Sequence, residues 1–184
     1  MGELANILDV SRKWDIFIET GTGMGTGLQF AQKQNFKKIY SIEINKDLYY
    51  IAKSLEDSKT EILNMNSPDG LMSVLSEVSM KDKILFWLDA HYPGADFNLG
   101  DYSGGEESTR LPLMEELKVI RKFRNRKDTI IMDDMRIYAD ASIEKELQPK
   151  DGTTLEDVKK MFEDTHTFEL IEKDQWYGIF RPKQ

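Results

Sequence analysis

The stretch Asp15-Ile16-Phe17-Ile18-Glu19-Thr20-Gly21-Thr22-Gly23-Met24-Gly25-Thr26-Gly27 decides how this chain is read. Ile16, Phe17 and Ile18 make a short apolar run that glycines end at once, the pattern of a buried strand. Glycines then fall on every second position from Gly21 to Gly27. They let the chain turn sharply and let a ligand approach the backbone. A helical pattern over 25–34 follows. Strand, glycine turn and helix in that order form the opening of a parallel unit whose turn faces a ligand at a helix N-terminus.

Working outward, the same alternation continues. Lys38-Ile39-Tyr40-Ser41-Ile42 reads as a second strand, and 46–56 as a helix with Leu48, Ile51, Ala52 and Leu55 on one face. Glu61-Ile62-Leu63-Asn64-Met65 is a third strand, and Pro68 and Asp69 suit the start of a third helix. Ile84-Leu85-Phe86-Trp87-Leu88 is the most apolar run and belongs at the sheet centre. Helices are expected over 111–123 and 154–163, a strand at Thr129-Ile130-Ile131-Met132, and irregular chain over 139–153. Two last strands, 167–173 and 176–181, join through a tight turn near Asp174-Gln175. A short leading helix lies within residues 1–13, over 3–12. The glycine-rich, acidic stretch 92–109 is long for a loop in a compact domain and reads as an active-site lid. The order βαβαβαβαβαββ predicts one α/β domain over 1–184. Its sheet is Rossmann-like and doubly wound, seven-stranded and mostly parallel, with an antiparallel C-terminal strand and helices on both faces. Ligands of such sheets sit at the carboxyl ends of the strands.

Composition narrows the function. The 184 residues are 40% hydrophobic and 32% charged, a globular mixture. The formal net charge of -8 makes nucleic acid a poor partner, because a phosphate backbone needs a basic surface. One basic run, Lys118 to Lys127, reads as a solvated helix face and its C-terminal turn. No cysteine is present, which excludes disulfides, thiolate metal sites and a cysteine nucleophile. The start MGELANILDV lacks a basic segment followed by an apolar one, and no apolar stretch is long enough for a membrane span. A cytoplasmic protein is expected.

The glycine spacing is G-x-G-x-G-x-G, not the dinucleotide fingerprint G-x-G-x-x-G. Glu19 stands two residues before Gly21, and Glu43 ends the next strand. A carboxylate at Glu19 repels a pyrophosphate and suits a cation. This constellation resembles motif I of class I S-adenosylmethionine-dependent methyltransferases. The resemblance implies that Glu19 serves the cofactor's amino-acid end, that Gly21, Thr22, Gly23 and Gly25 form its turn, and that Glu43 holds the ribose hydroxyls. It implies that Asn66 and Ser67, after the third strand, contact adenine, and that Asp89 lies beside the methyl group.

Two more strand ends carry acids, in Leu88-Asp89-Ala90-His91-Tyr92 and Met132-Asp133-Asp134-Met135. The layout resembles metal-dependent O-methyltransferases of the catechol and macrolide-sugar types, which implies Asp89, Asp133 and Asp134 as ligands of a magnesium ion. The catechol type has a lysine base three residues after its first acid. Here that residue is Tyr92, so His91, together with Asp89, is the candidate catalytic pair. Tyr92, Phe97 and Tyr102 are expected to line an aromatic pocket, Arg136 either holds an anionic substrate or makes an ion pair, and His166 reads as structural. The expected reaction is methylation of a hydroxyl on a small molecule or sugar. A homodimer is one assembly the sequence leaves open. Two other readings stay open as well: an NAD-dependent oxidoreductase, and a nucleoside-binding module without catalysis.

Overall fold

A computed structural model of the chain describes residues 13–102, 106–124, 127–173 and 176–184. The expected leading helix and the turn at Asp174-Gln175 lie outside these residues. The strands are β1 (Ile16–Thr20), β2 (Lys38–Glu43), β3 (Thr60–Asn64), β4 (Ile84–Leu88), β5 (Thr129–Met132), β6 (His166–Ile171) and β7 (Tyr177–Pro182). The helices are α1 (Thr26–Gln32), α2 (Lys46–Lys53), α3 (Ser67–Glu77), α4 (Glu107–Arg110), α5 (Leu113–Phe123), α6 (Arg136–Ala139) and α7 (Leu155–Lys160).

All seven strands form one sheet in the order β3-β2-β1-β4-β5-β7-β6. The pairs from β3 to β5 are parallel, and β7 runs antiparallel to both β5 and β6. The predicted architecture is the one observed, with β4 in the middle position. Strand alternation explains why both faces are covered. Ile16, Ile18, Ile84, Phe86, Leu88, Ile130, Met132 and Phe180 point to one core, where α3 and α5 add Leu71, Val74, Leu117 and Ile120. Phe17, Leu85, Trp87, Ile131 and Ile179 point to the other, closed by Leu28 and Ala31 of α1 and Ala52 of α2.

Helix boundaries differ from the sequence reading at several places, some with a clear local reason. Gly25 takes a left-handed conformation as the N-cap of α1, so the helix begins one residue later than expected. The helix expected over 111–123 begins two residues later, and a separate short helix, α4, precedes it. Pro112 drives Leu111 out of helical geometry (φ -134°, ψ 73°), which ends α4 and starts α5 at Leu113. A short helix that the sequence reading did not assign, α6, runs into the first residue of the stretch expected to be irregular over 139–153. The stretch expected as a loop over 92–109 contains a 3-10 turn at Ala95–Phe97 and the start of α4. Among the described residues, no helix is long and apolar enough to cross a membrane.

Candidate active site

The carboxyl ends of β1, β2 and β4 open into a cleft of about 420 Å³, within the range of small-molecule sites. The strand order reverses here, since β1 sends its chain to β2 on one side and lies against β4 on the other. Gly21 makes the close approach possible. Its φ is 78°, and a Cβ there would lie 2.1 Å from the carbonyl oxygen of Asp89.

Two acids brace the glycine turn from below. Glu43 accepts hydrogen bonds from the Gly23 N–H (2.9 Å) and the Asn45 N–H (2.7 Å), so its carboxylate fixes the backbone that a cofactor would meet. Glu19 is 1% exposed. The hydroxyl of Ser41 donates to its Oε2 at 2.5 Å, and the hydroxyls of Ser41 and Thr22 are 2.6 Å apart. Burial pushes the Glu19 carboxyl up to about 8, opposed by Ser41 and helped by the negative charge of Glu43. Burial also raises Glu43, against the backbone N–H groups it accepts from.

The second half of the rim carries Asp89, His91, Asp133 and Asp134. The imidazole of His91 lies between two carboxylates, with Nδ1 3.4 Å from Asp89 Oδ1 and Nε2 3.4 Å from Asp134 Oδ2. Both separations exceed those of a good hydrogen bond. Arg136 donates from Nε to Asp134 Oδ1 at 2.5 Å, so the ion-pair reading of Arg136 is the one observed. Burial, then Asp133 and Glu19, hold Asp89 well above the usual carboxylate range. Burial raises Asp133 too, with His91 opposing. Tyr92 (φ 44°) and Asp134 (φ 52°) both sit in the left-handed region, a strain concentrated at the two loops that form the rim.

Topology thus gathers Glu19, Glu43, Asp89, His91 and Asp133 at one cleft. It does not arrange Asp89, Asp133 and Asp134 as the expected metal centre. His91 separates Asp89 from Asp134, the Arg136 cation already holds Asp134, and Asp133 Oδ1 accepts the Asp134 N–H at 2.7 Å. Among the described residues, no group of three or more His, Asp or Glu side chains could hold an ion. The residues as placed do not fit magnesium.

Asn66, which lines the cleft with Ser67, is also engaged at the start of α3. Its Oδ1 accepts from the Asp69 N–H (2.9 Å) and its Nδ2 donates to Asp69 Oδ2 (2.7 Å), so the amide caps α3. The Ser67 hydroxyl is buried and makes no hydrogen bond. Tyr92 and Phe97 line the cleft as expected. Tyr102 packs edge-on against Tyr92 and donates to Asp96 at 2.5 Å. His166 is buried on the Asp128 carbonyl (3.0 Å), a structural position.

Sequence reasoning missed Ser41 and Glu116. Each carries a readable signal: Ser41 is a hydroxyl inside an apolar strand, and Glu116 is an acid on the apolar stripe of α5. Only the register, which pairs Glu19 with Ser41, shows what Ser41 does.

No protein-family model matches the chain, and no curated protein sequence does. Solved structures share its fold. A Staphylococcus aureus protein assigned as a caffeoyl-CoA O-methyltransferase superposes with a TM-score of 0.64 at 15% identity, over 98% of this chain and 82% of that one. A Streptococcus mutans protein assigned as a methyltransferase, in complex with S-adenosylhomocysteine, gives 0.61 at 14%, over 93% and 90%. A Podospora anserina methyltransferase with S-adenosylhomocysteine bound gives 0.60 at 13%, over 95% and 74%.

Proposed function

We propose that this chain is an S-adenosylmethionine-dependent methyltransferase acting on a hydroxyl of a small molecule or sugar. The observation that carries the reading is the charge of the cleft. Among the described residues, Glu19, Glu43, Asp89, Asp96 and Asp133 line it, and no lysine or arginine does. S-adenosylmethionine brings a sulfonium and an ammonium against one carboxylate. A pyrophosphate would bring two negative charges to the same acids. Unit charges about 4 Å apart interact by roughly 4 kcal/mol at an effective dielectric near 20, so sign decides between these ligands. The raised carboxyls of Glu19 and Asp89 fit the same choice, since a cation restores what burial removed.

The chain's own groups then divide the work. Glu19, steadied by Ser41, meets the ammonium. Glu43 keeps lone pairs for the ribose hydroxyls while holding the glycine turn. Phe97, whose ring lies about 3.1 Å from where a Cβ on Gly23 would be, covers the turn and excludes water. His91, set between Asp89 and Asp134, accepts the proton of the acceptor hydroxyl. Asp133 faces the acceptor beside it. When bound, the cofactor supplies an electrophilic methyl group. Alignment of the two reactants does the rest.

Calorimetry with S-adenosylmethionine, S-adenosylhomocysteine and NAD tests the ligand, and a panel of hydroxyl acceptors with and without EDTA tests the chemistry. Binding of the first two and not NAD, with turnover that survives EDTA, is expected. Preferential NAD binding refutes the function, and activity abolished by EDTA and restored by magnesium refutes the metal-free reading. His91→Ala separates enzyme from binding module, because it should keep cofactor affinity and lose turnover.

A further inference from the structure

Glu116 lies on the stripe of α5 that buries Leu113, Leu117 and Ile120, and it is 1% exposed. Nothing in the mechanism above uses it. Burial pushes its carboxyl up to about 7, and the hydroxyls of Ser67 and Thr20 nearby pull it down. Yet Thr20 Oγ1, Ser67 Oγ and Glu116 Oε1 are all buried without a hydrogen-bond partner. They meet where the end of β1, the start of α3 and the first turn of α5 converge. A buried carboxyl oxygen without a partner is costly in an apolar core unless water serves it.

A second cavity, of about 20 Å³, adjoins Glu116, with Asp133, His91 and Tyr138 also on its wall. That volume exceeds the roughly 10–15 Å³ one water molecule needs. Asp133 and His91 line the main cleft as well, so the inner cavity backs directly onto its acceptor end.

We propose that one water molecule occupies the inner cavity, donating to both Glu116 and Asp133, and that Glu116 is thereby a positioning residue for the acceptor end of the cleft. Two carboxylates on one small cavity suit a water's two O–H groups, and Tyr138 offers a hydroxyl to its oxygen. Asp133 is already tied through Oδ1 to the Asp134 N–H. A second tie fixes the plane of its carboxylate, and with it the place where an acceptor hydroxyl rests beside His91. The inference rests on the methyltransferase reading for what Asp133 positions, and not for the water itself.

Glu116→Leu, which removes the polar group at similar volume, and Glu116→Gln, which keeps it, are compared with the parent by crystallography, calorimetry and turnover. Density for a water between residues 116 and 133 is expected in the parent and the Gln variant and not in the Leu variant. Cofactor affinity should hold within about twofold in both variants, because Glu116 does not line the main cleft. Turnover at saturating acceptor should fall about 10²-fold in the Leu variant, the cost of a misplacement near 1 Å, and only several-fold in the Gln variant. An inner cavity without water density in the parent overturns the proposal. So does a Leu variant with parental turnover, or one whose cofactor affinity falls in step with turnover, which marks a packing role. Should the Leu variant not fold, the parent density and the Gln variant decide, and a loss of about 10²-fold in the Gln variant overturns it. A parent that binds no S-adenosylmethionine sinks the proposed function alone, and the density then judges the water.

Discussion

Replacing Glu19 by Gln should flatten the pH dependence of stability and weaken cofactor binding at once. Unfolded, the carboxyl titrates near its ordinary 4.5; folded, burial raises it to about 8. Across that window the folded state keeps a proton the unfolded state has released. The stability contributed by the neutral acid is therefore complete below about 4.5 and is lost as pH rises to about 8. At about 1.36 kcal/mol per unit, the loss between about pH 5 and pH 7.5 is roughly 3 kcal/mol. Gln cannot ionise, so the variant should lose about that much less over the same interval, while the raised carboxyls of Glu43, Asp89, Glu116 and Asp133 keep a residual slope of the same sign. A cofactor ammonium reverses the balance by favouring the charged acid. Binding at neutral pH should expel about one more proton from the parent than from the variant. Losing a hydrogen bond to a charged group, about 1.5–3 kcal/mol, should weaken binding roughly 10- to 100-fold. Urea unfolding across pH gives the first quantity, and calorimetry in two buffers of different ionisation enthalpy gives the second. A Gln variant with the parent's pH slope, or a parent that binds the cofactor without releasing a proton, refutes the role given to Glu19.

Two further substitutions probe the same rim. In Gly27→Ala the new Cβ would fall 2.0 Å from Glu19 Oε1, which Ser41 prevents from moving freely; a loss of about 1–3 kcal/mol in urea unfolding is expected, with weaker cofactor binding. Asn66→Ala should cost about 1 kcal/mol as a lost helix cap and leave cofactor affinity within about twofold; a tenfold loss of affinity at parental stability would show that the amide serves adenine instead.

Much of the frame was legible in particular residues. The alternation of Ile16, Phe17 and Ile18 and the apolar run 84–88 announce buried strands because each residue must face one of two cores. The glycines announce their turn because few other residues accept a φ of 78° against a carbonyl. Boundaries were less legible where one residue overrides its neighbours, as Pro112 does for the helix expected over 111–123. The site was readable as a set of strand ends and unreadable as geometry. Asn66 reads as an adenine contact because a side-chain amide suits adenine, and the tertiary structure adds a helix-capping tie to Asp69 that the sequence reading did not give.

Local sequence alone determined the parallel sheet, its glycine turn and the acidic character of the strand ends, because periodicity, backbone freedom and charge are properties of short segments. Tertiary structure alone decided what those acids do. Register brought Ser41 to Glu19, loop geometry set His91 between Asp89 and Asp134 with Arg136 against the latter, and helix packing buried Glu116 on a small cavity shared with His91 and Asp133. Ionisation and metal fit depend on distances and burial between residues far apart in the chain, and no segment read by itself contains them.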